Sequence, residues 1–397
     1  MAQLSVTHVM PLSEDPGRVA FSGAENHLWI LLPALKDAGL DVEFCAAIRR
    51  PGPTIDAKLE ELTSQGVTTV KSPSISGSWP ERVAAYRYLY SFLRARRSSI
   101  VHAHLSVRWL LPLTRLAGCR HVIFSIHNDE PAYGTPKARA LFRFLNGGIA
   151  RYIAISDRVR DYFLSVSGAS EEKVETIRYG YRLPQGVPAR SKEELRKAFD
   201  VPTDRFIIGF VGRLDPQKNL PLLVETIKGL SFAHGVVIGG GSEEAALRGL
   251  AKKNGADNIS FLGPLPDAAD LMPMFDVFCL PSTWEGLGLV LLEAMFRGVP
   301  IIGSRAGAIP EILDNGNYGL LFQSGDAEGL RRAIIKAHED PEALARLALS
   351  ARLYAEQNFQ VETMVKKTIG VYKAVLAEGG VTTGTTNLHG ESTCRPG

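Results

Sequence analysis

The stretch FIIGFVGRLDPQKNL, residues 206–220, decides the fold of the second half of the chain. Its first six residues are aliphatic or aromatic apart from one glycine, which predicts a buried strand that ends at Gly212. Arg213 and Lys218 follow in a loop, and Asn219 stands where it can cap the next helix. A buried strand, a glycine, a cationic loop and a helix in this order are typical of one unit of a parallel α/β sheet.

The same alternation of short apolar runs and helical patterns extends over most of the chain. A first series of predicted strands covers residues 6–9, 42–45, 100–104, 121–125 and 152–156, and a second covers 206–211, 235–238, 259–262, 277–280 and 300–303. Two such series predict two Rossmann-like, doubly wound α/β domains. Ligands of open parallel sheets bind beyond the carboxyl ends of the strands, so we expect the site in a cleft between the two sheets.

The composition of the segments sets the predicted boundaries. We expect an N-terminal domain over residues 1–183, a Pro/Gly-rich linker over 184–204 and a C-terminal domain over 205–355. A last helix is predicted over 356–378 and a polar, flexible tail over 379–397.

Composition excludes several classes of protein. The 397 residues are 45% hydrophobic and 22% charged, which excludes a disordered, collagen-like or disulfide-scaffold chain. The four cysteines form no CxxC pair, which argues against a zinc site and favours reduced thiols. No signal peptide and no run of about 18 apolar residues is found. We therefore expect a cytoplasmic protein.

The net charge of +3 hides an uneven distribution. Residues 1–180 carry 22 basic and 17 acidic side chains (+5), and the remainder carries 23 and 25 (−2). No Asp or Glu occurs in 82–128, which holds eight arginines, among them Arg87, Arg94, Arg96 and Arg97. Such a segment suits contact with an anionic membrane or a diphosphate-linked lipid acceptor, and a solvated helix face with distant ion pairs is the alternative. The total charge does not indicate a nucleic-acid partner.

The cationic loop can bind a diphosphate. Arg213 offers a bidentate fork and Lys218 a point charge, next to the free N–H groups of a helix start. Two solvated cations are the simpler alternative, and their position at a strand end favours the binding role. The triglycine 239–241 follows another predicted strand and is read either as a nucleotide contact or as a tight turn.

A second motif follows the strand 277–280. Glu285 lies in a loop with Gly286 and Gly288. An apolar helix is predicted to begin at about residue 289 and to end at Gly298, which would be its left-handed C-cap. Glu285 can accept hydrogen bonds from hydroxyl groups. Glu293 stands among apolar neighbours in the helix and therefore needs a partner.

Histidines follow or occupy the strands of the first half. His127 comes just after the predicted strand 121–125, at the edge where a cleft is expected. A lone histidine is more often structural than functional. His102 and His104 share one face of a strand and are interpreted as packing or cleft-lining residues.

These motifs together resemble the retaining GT-B glycosyltransferases of family 4 over nearly the whole chain. The resemblance rests on the segment from Arg213 to Lys218, the pair Glu285 and Glu293, and the segments GAIPE at 307–311 and SGAE at 22–25. The family usually has two glycines where this chain has Ser22 and Gly23. The resemblance implies two facing Rossmann-like domains with a C-terminal helix that crosses back to the N-terminal domain.

The resemblance also implies roles for the site residues. Arg213 and Lys218 would hold the nucleotide diphosphate, Glu285 the sugar hydroxyls and Glu293 the ribose, with His127 contacting the donor sugar. The catalytic set implied is His127, Arg213, Lys218 and Glu285. Further donor contacts are expected from Gly23, Gly212, Gly240, Gly286, Leu287, Gly288, Leu289 and Val290.

The mechanism expected from these residues uses no metal and no cofactor. The sequence contains no Asp-x-Asp pair, the motif of a divalent-metal diphosphate clamp. Arg213, Lys218 and helix N-termini would stabilise the leaving diphosphate instead. Because no motif for a covalent glycosyl-enzyme is evident, we expect a front-face displacement in which the leaving phosphate takes the acceptor proton.

Other readings of the sequence remain. A dinucleotide-dependent oxidoreductase would need a Gly-x-Gly-x-x-Gly segment after the first strand, and residues 10–23 do not supply it. A GT-B nucleotide-sugar epimerase and a catalytically silent carbohydrate-binding subunit are the alternatives to a transferase. A UDP-sugar is the expected donor, with GDP and ADP kept open, and the expected acceptor is a glycan or lipid-linked precursor.

Overall fold

The computed structural model describes residues 4–14, 21–97, 99–105, 107–183 and 190–380. Its first half is a seven-stranded parallel sheet in the order β3-β2-β1-β4-β5-β6-β7. The strands are β1 (Ser5–Ser13), β2 (Asp41–Arg50), β3 (Thr68–Lys71), β4 (Ile100–His104), β5 (His121–Ile126), β6 (Arg151–Ala154) and β7 (Val174–Thr176). The helices among them are α1 (Gly23–Asp37), α2 (Pro53–Ser64), α3 (Trp79–Ala95), α4 (Val107–Leu116), α5 (Pro136–Leu145) and α6 (Asp157–Ser167).

The second half is a six-stranded parallel sheet in the order β10-β9-β8-β11-β12-β13. Its strands are β8 (Phe206–Val211), β9 (Ala233–Ile238), β10 (Ile259–Gly263), β11 (Val277–Leu280), β12 (Ile301–Ser304) and β13 (Leu320–Phe322). The helices are α7 (Lys192–Ala198), α8 (Leu220–Lys228), α9 (Glu244–Lys253), α10 (Leu289–Phe296), α11 (Ile309–Ile312), α12 (Ala327–Glu339), α13 (Pro341–Asn358) and α14 (Val361–Gly380). Short 3₁₀ helices lie at Pro131–Gly134, Asn146–Gly148, Glu171–Lys173, Pro216–Lys218, Ala268–Met274 and Asp314–Gly316.

The predicted fold class, two Rossmann-like sheets, is confirmed. All ten predicted strands are present: β4, β8 and β11 have the predicted ends and the others have shifted ends. The strands that were not predicted are β3, β7 and β13, which lie at sheet edges and have four, three and three residues. Apolar patterning is weak in β3 and β7, and β13 is apolar but too short to show a pattern.

The predicted linker contains an ordered helix. Residues 184–189 lie outside the described residues, whereas α7 follows them and buries Leu195 in the core of the second half. Arg196 of α7 donates to the Met274 carbonyl at 2.8 Å and to the Asp276 carboxylate at 2.7 Å. The second half therefore begins structurally at α7, within the predicted linker, and the other domain boundaries stay predictions.

The last helix crosses back to the first half, as expected from the family. Val371, Tyr372 and Val375 of α14 are buried in the hydrophobic cluster of β1 and α1. The two places where the chain passes between the halves lie against each other: a Cβ atom on Gly180 would lie 2.5 Å from the Cα atom of Val361. The predicted tail at 379–397 lies outside the described residues except for Gly379 and Gly380 at the end of α14.

One capping prediction is wrong. Asn219 precedes α8 as expected, but its side chain makes no capping hydrogen bond and its backbone is left-handed, with φ 49°. Asn219 is the single residue between the 3₁₀ turn Pro216–Lys218 and α8, and asparagine adopts the left-handed conformation more readily than most residues.

Candidate functional site between the two sheets

Two helices begin opposite each other where the halves of the chain meet. Helix α1 starts at Gly23 after β1, and α10 starts at Leu289 after β11. A Cβ atom on Gly23 would lie 3.9 Å from the Cβ atom of Leu289, so the two helix starts are in close contact. Unpaired N–H groups and the positive ends of both helix dipoles therefore converge on this part of the cleft, an arrangement that suits an anion.

Lys218 and Glu285 form a buried ion pair beside these helix starts. The Lys218 Nζ atom lies 2.5 Å from Glu285 Oε2, and each side chain is only 11% exposed. Ser282 donates to the same carboxylate oxygen at 3.4 Å. The structure thus brings two of the predicted catalytic residues together, and each orients the other where a sugar diphosphate is expected.

The GAIPE segment holds Glu285 in place. Gly307 has φ +52°, and a Cβ atom there would lie 2.1 Å from the Glu285 carbonyl oxygen. The Ala308 amide donates to that carbonyl at 2.9 Å. Only glycine allows this approach, so Gly307 has a structural reason to belong to the motif.

Arg213 is placed at the cleft but not fixed in it. Its guanidinium pairs with Asp215 at 2.9 Å, and the side chain is 49% exposed. Gly212, with φ +151°, contacts the triglycine loop: a Cβ atom on Gly239 would lie 1.9 Å from the Gly212 carbonyl oxygen. The Leu214 amide donates to the Gly240 carbonyl at 3.0 Å. The triglycine therefore has the structural role of letting two strand-end loops touch.

The start of α10 presents backbone groups to the cleft. Gly288 has φ +83° and turns the chain into the helix after the buried Leu287. The N–H groups of Leu289 and Val290 stand in the first turn, where helices lack internal acceptors. These are the backbone groups for which the sequence analysis predicted donor contacts.

Glu293 has no partner for its carboxylate in the described part of the chain. Arg297, one turn further, donates to the Glu293 carbonyl at 3.1 Å and pairs with Asp270. Burial raises the pKa of the Glu293 carboxyl to about 7, while Arg297 opposes and Asp270 reinforces that shift. Among the described residues the expected partner is thus missing, which leaves the carboxyl group available to a ligand.

His127 is buried, and both of its ring nitrogens are used. Nδ1 lies 2.6 Å from the Tyr179 hydroxyl, and Nε2 lies 3.0 Å from His104 Nδ1. Burial lowers the pKa of His127 to about 3, so the ring is neutral near pH 7. Its carbonyl oxygen faces the other half of the chain, since a Cβ atom on Gly286 would lie 2.4 Å away.

Two further groups of hydrogen bonds join the halves. The Ser156 hydroxyl donates to the Gly286 carbonyl at 2.6 Å. Glu311 of the GAIPE segment accepts from the Asp157 and Arg158 amides, both at 3.1 Å, at the start of α6. Arg178 adds a charge-assisted bond to Glu311 at 2.8 Å. Gly286 and Glu311 therefore close the cleft, a role that the sequence did not reveal.

Asp129 is a site residue that the sequence analysis missed. Its carboxylate is buried, Oδ1 has no hydrogen-bond partner and Oδ2 lies 3.4 Å from Arg158 Nε. Burial raises the pKa of Asp129, and the negative charge of Glu285 contributes in the same direction. Its position two residues after His127, at the end of β5, was the signal that could have identified it.

The four arginines proposed for an acceptor or membrane do not act alike. Arg87, Arg94 and Arg97 are exposed, whereas Arg96 pairs with Glu43 and lies over the Phe92 ring, 3.7 Å from its centre. For Arg96 the ion pair with Glu43 of β2 favours the alternative, an arginine paired with a distant carboxylate.

The length of α3 places Arg94 and Arg97 far from the cleft. Helix α3 starts at Trp79, which is 74% exposed at the cleft edge of the sheet, and Arg94 lies 15 residues further, roughly 22 Å away at 1.5 Å per residue. Arg94 and Arg97 are thus too distant to bind a diphosphate in the cleft. No helix in the described residues is long and apolar enough to cross a membrane.

Comparison with known proteins agrees with this architecture. Residues 21–183 match the model of Glycosyltransferase Family 4, and residues 191–354 match the model of Glycosyl transferases group 1. A D-inositol 3-phosphate glycosyltransferase of Saccharomonospora viridis is 28% identical over 68% of this chain and 66% of its own length. A GDP-mannose-dependent phosphatidylinositol monomannoside mannosyltransferase of Mycobacterium tuberculosis is 29% identical over 65% of this chain and 71% of its own.

Solved structures have the same fold. The Anabaena protein HepE, crystallised with UDP and glucose, superposes with a TM-score of 0.77 at 20% identity over 94% of this chain and all of that one. WaaG, a glycosyltransferase of lipopolysaccharide biosynthesis, superposes with a TM-score of 0.69 at 16% identity over 96% of this chain and all of its own. With two facing parallel sheets and both family models matched, the chain belongs to the GT-B glycosyltransferases of group 1.

Proposed function

We propose that this glycosyltransferase moves a sugar from a UDP-sugar to a hydroxyl group of a lipid-linked or polysaccharide precursor, with retention at the anomeric carbon and without a metal ion. The observation that carries the proposal is the buried Lys218–Glu285 pair beside the facing starts of α1 and α10. The cation and the two helix N-termini suit the diphosphate of the donor, and the Glu285 carboxylate can accept hydrogen bonds from the hydroxyl groups of its sugar.

Each group would act on a different part of the donor. Lys218, Arg213 and the N–H groups at Gly23 and Leu289 would bind the diphosphate, and Glu285 would accept from the sugar hydroxyls. The carboxyl of Glu293 would bind the ribose. Donor binding would then replace the Lys218–Glu285 contact, so that Lys218 turns to phosphate while Glu285 turns to the sugar.

The transfer step needs charge stabilisation at the leaving group. The bond between the anomeric carbon and the diphosphate oxygen breaks, and a bond to the acceptor oxygen forms on the same face of the sugar. The acceptor proton passes to the leaving diphosphate oxygen. The negative charge that develops there is the main one that the protein must stabilise, and preorganised cations and N–H groups do so effectively.

The nucleotide is tested by ligand-induced stabilisation. We would compare UDP-, GDP- and ADP-sugars, because a ligand at 100 times its dissociation constant adds about 2.7 kcal/mol to the free energy of unfolding. The GDP-mannose-dependent relative makes GDP-mannose the second candidate. Stabilisation by UDP-sugars that is lost in Lys218→Ala supports the proposal. Stabilisation by GDP-mannose alone would identify GDP rather than UDP as the donor nucleotide. Stabilisation by none of these sugar nucleotides would contradict a sugar-nucleotide site.

The acceptor side would lie at an anionic membrane surface. Arg87 and Arg94 are exposed on α3 together with Trp79, and Arg97 is exposed just after the helix. A surface cation contributes roughly 1 kcal/mol near anionic lipid. Vesicles with and without phosphatidylserine would be sedimented with the wild type and with an Arg87→Glu/Arg94→Glu variant. Sedimentation that does not depend on phosphatidylserine would contradict the proposed membrane contact. Arg248→Glu, on α9 in the C-terminal half, is the control for the effect of a charge reversal elsewhere on the protein.

A further inference from the structure

A continuous row of buried polar side chains links the last helix to the cleft. His8 on β1 lies beside His102 on β4 in the register of the sheet, and His104 shares the face of His102. Helix α14 covers this face with Tyr372, and His127 and Tyr179 continue the row towards the cleft. The expected contact of His127 with the donor sugar would not explain why His8, His102 and His104 are buried next to it as a connected row.

Six hydrogen bonds connect seven groups in the row. From the far end, Ser125 Oγ lies 2.8 Å from His102 Nε2, and His102 Nδ1 lies 2.7 Å from the Tyr372 hydroxyl. That hydroxyl lies 3.2 Å from His8 Nε2. His8 Nδ1 lies 2.9 Å from His104 Nε2, His104 Nδ1 lies 3.0 Å from His127 Nε2, and His127 Nδ1 lies 2.6 Å from the Tyr179 hydroxyl.

Each member of the row has one proton to donate. Burial lowers the pKa of His8 and His127 to about 3 and that of His102 and His104 well below its usual value, so all four rings are neutral near pH 7. Burial also raises the pKa of Tyr372 and Tyr179 well above its usual value, so both hydroxyls keep their protons. A neutral imidazole donates at one nitrogen and accepts at the other.

Two arrangements of these protons run in one direction along the whole row. If Ser125 donates first, every histidine carries its proton on Nδ1, and the last free proton is on the Tyr179 hydroxyl at the cleft. If the row runs the other way, every histidine carries its proton on Nε2, and the free proton is on Ser125. In a third arrangement Tyr372 accepts from both His102 and His8, which makes all six bonds but leaves its own buried hydroxyl proton without a partner in the row. Every other reversal sets two protons or two lone pairs against each other, and both situations are unfavourable in a buried site.

We propose that these seven groups form one polarised hydrogen-bond chain that fixes the tautomer and orientation of His127, with Tyr372 of α14 as the positioning residue that completes it. Tyr372 is the sole member contributed by the returning helix, and it joins His102 to His8. An enzyme whose α14 is not docked lacks this link. The proposal rests on the glycosyltransferase site described above, but its first test does not require a known donor.

Metal binding is the alternative for part of the row. Nitrogens of His8, His102 and His104 all lie within 4.8 Å of one another, which is the donor set of a possible metal site. Two nitrogens that bind one zinc ion at about 2.0–2.1 Å lie no farther apart than roughly 4.2 Å, which is less than the 4.8 Å over which these nitrogens spread. The 2.9 Å contact between His8 and His104 is instead a normal hydrogen-bond length.

The first experiment determines the tautomers in the unmodified protein. Histidine ring ¹⁵N labels in the full chain distinguish protonated from bare nitrogens, and single His→Gln variants at 8, 102, 104 and 127 assign the signals. We expect all four rings to carry the proton on the same nitrogen type. A mixed pattern, or stoichiometric zinc in elemental analysis, would overturn the proposal.

The second experiment removes one hydroxyl. In Tyr372→Phe the chain is divided, so we expect the His127 signals to shift or split, and kcat to fall roughly tenfold with KM for the donor little changed. Tyr152→Phe is the matched control, because its hydroxyl is bonded to Asn146 at 2.6 Å outside the row. Unchanged His127 signals in a folded Tyr372→Phe protein would overturn the proposal. If that variant does not fold, the tautomers of the wild type decide.

Discussion

The two walls of the cleft carry different kinds of polar group. On the C-terminal wall the side chains are charged: Lys218 pairs with Glu285, and Arg213 pairs with Asp215. On the N-terminal wall His127 and Tyr179 are neutral and hydrogen-bonded to each other. Under the proposed function this difference would be a division of work, in which one wall stabilises the charge that develops on the leaving group and the other orients neutral groups.

Removing a cation from the charged wall should have the largest effect. We expect Lys218→Ala or Arg213→Ala to lower kcat on the order of 10²-fold, because the leaving diphosphate loses a preorganised partner. Steady-state kinetics with the donor found by thermal shift measures this. Arg248→Ala, which removes a surface cation paired with Glu244, is the control. Near-normal turnover in both cleft variants would show that charge is stabilised elsewhere.

The contact that joins the two walls should come next. Glu311→Ala removes the acceptor of two α6 amides and of Arg178. We expect donor affinity to fall about tenfold, since donor binding must then supply the energy that closes the cleft. Calorimetric titration gives the affinity, and small-angle scattering with and without nucleotide reports closure. Glu328→Ala, an exposed glutamate on α12, should leave both unchanged.

Glu293 gives the charged wall a pH dependence. With its pKa raised to about 7, the carboxyl is mostly protonated at pH 6 and mostly ionised at pH 8. If it accepts from ribose hydroxyls as a carboxylate, nucleotide affinity should rise about tenfold from pH 6 to pH 8. Titration of UDP at both values measures this. Glu293→Gln should bind with little pH dependence, and an equal slope in that variant would assign the effect to another group.

The free protein should show the opposite trend in stability. The native state binds more protons at Glu293 than the unfolded state between pH 4.5 and about 7, so this residue's contribution to the free energy of unfolding falls as the pH rises through that range. Chemical denaturation of the wild type and Glu293→Gln across this range checks the sign.

The smallest effect is expected from chelation. Because Lys218, Arg213 and helix N-termini are proposed to stabilise the diphosphate, turnover should survive EDTA. Loss of all activity that Mg²⁺ restores would mean that the charged wall needs a metal ion as well.

Much of the fold could be predicted because buried parallel strands leave a strong pattern. The apolar runs at 206–211 and 277–280 are each followed by a loop, which begins at Gly212 or Pro281, and they became β8 and β11 without change of bounds. The edge strand β13 is an apolar run of only three residues, and α7 has too few residues to show a period.

The candidate site was only partly predictable for a physical reason. Lys218 and Glu285 could be named from their positions after strands, but their contact could not be predicted, since they lie 67 positions apart along the chain. Asp129 and Glu311 act through the approach of the two halves, which no local pattern records. Nothing in the sequence distinguishes His8 from other strand residues, because its place in the row depends on its neighbour His102 in the adjacent strand.

The side-by-side crossings at Gly180 and Val361 have a consequence for chimeric enzymes. The segment that follows Val361 belongs by sequence to the end of the chain, but it completes the hydrophobic cluster of β1 and α1 and contributes Tyr372. A graft of this N-terminal half onto a foreign C-terminal half would therefore need two pieces, residues up to about 180 and the helix from 361. A single cut at the linker would leave the histidine row without its cover.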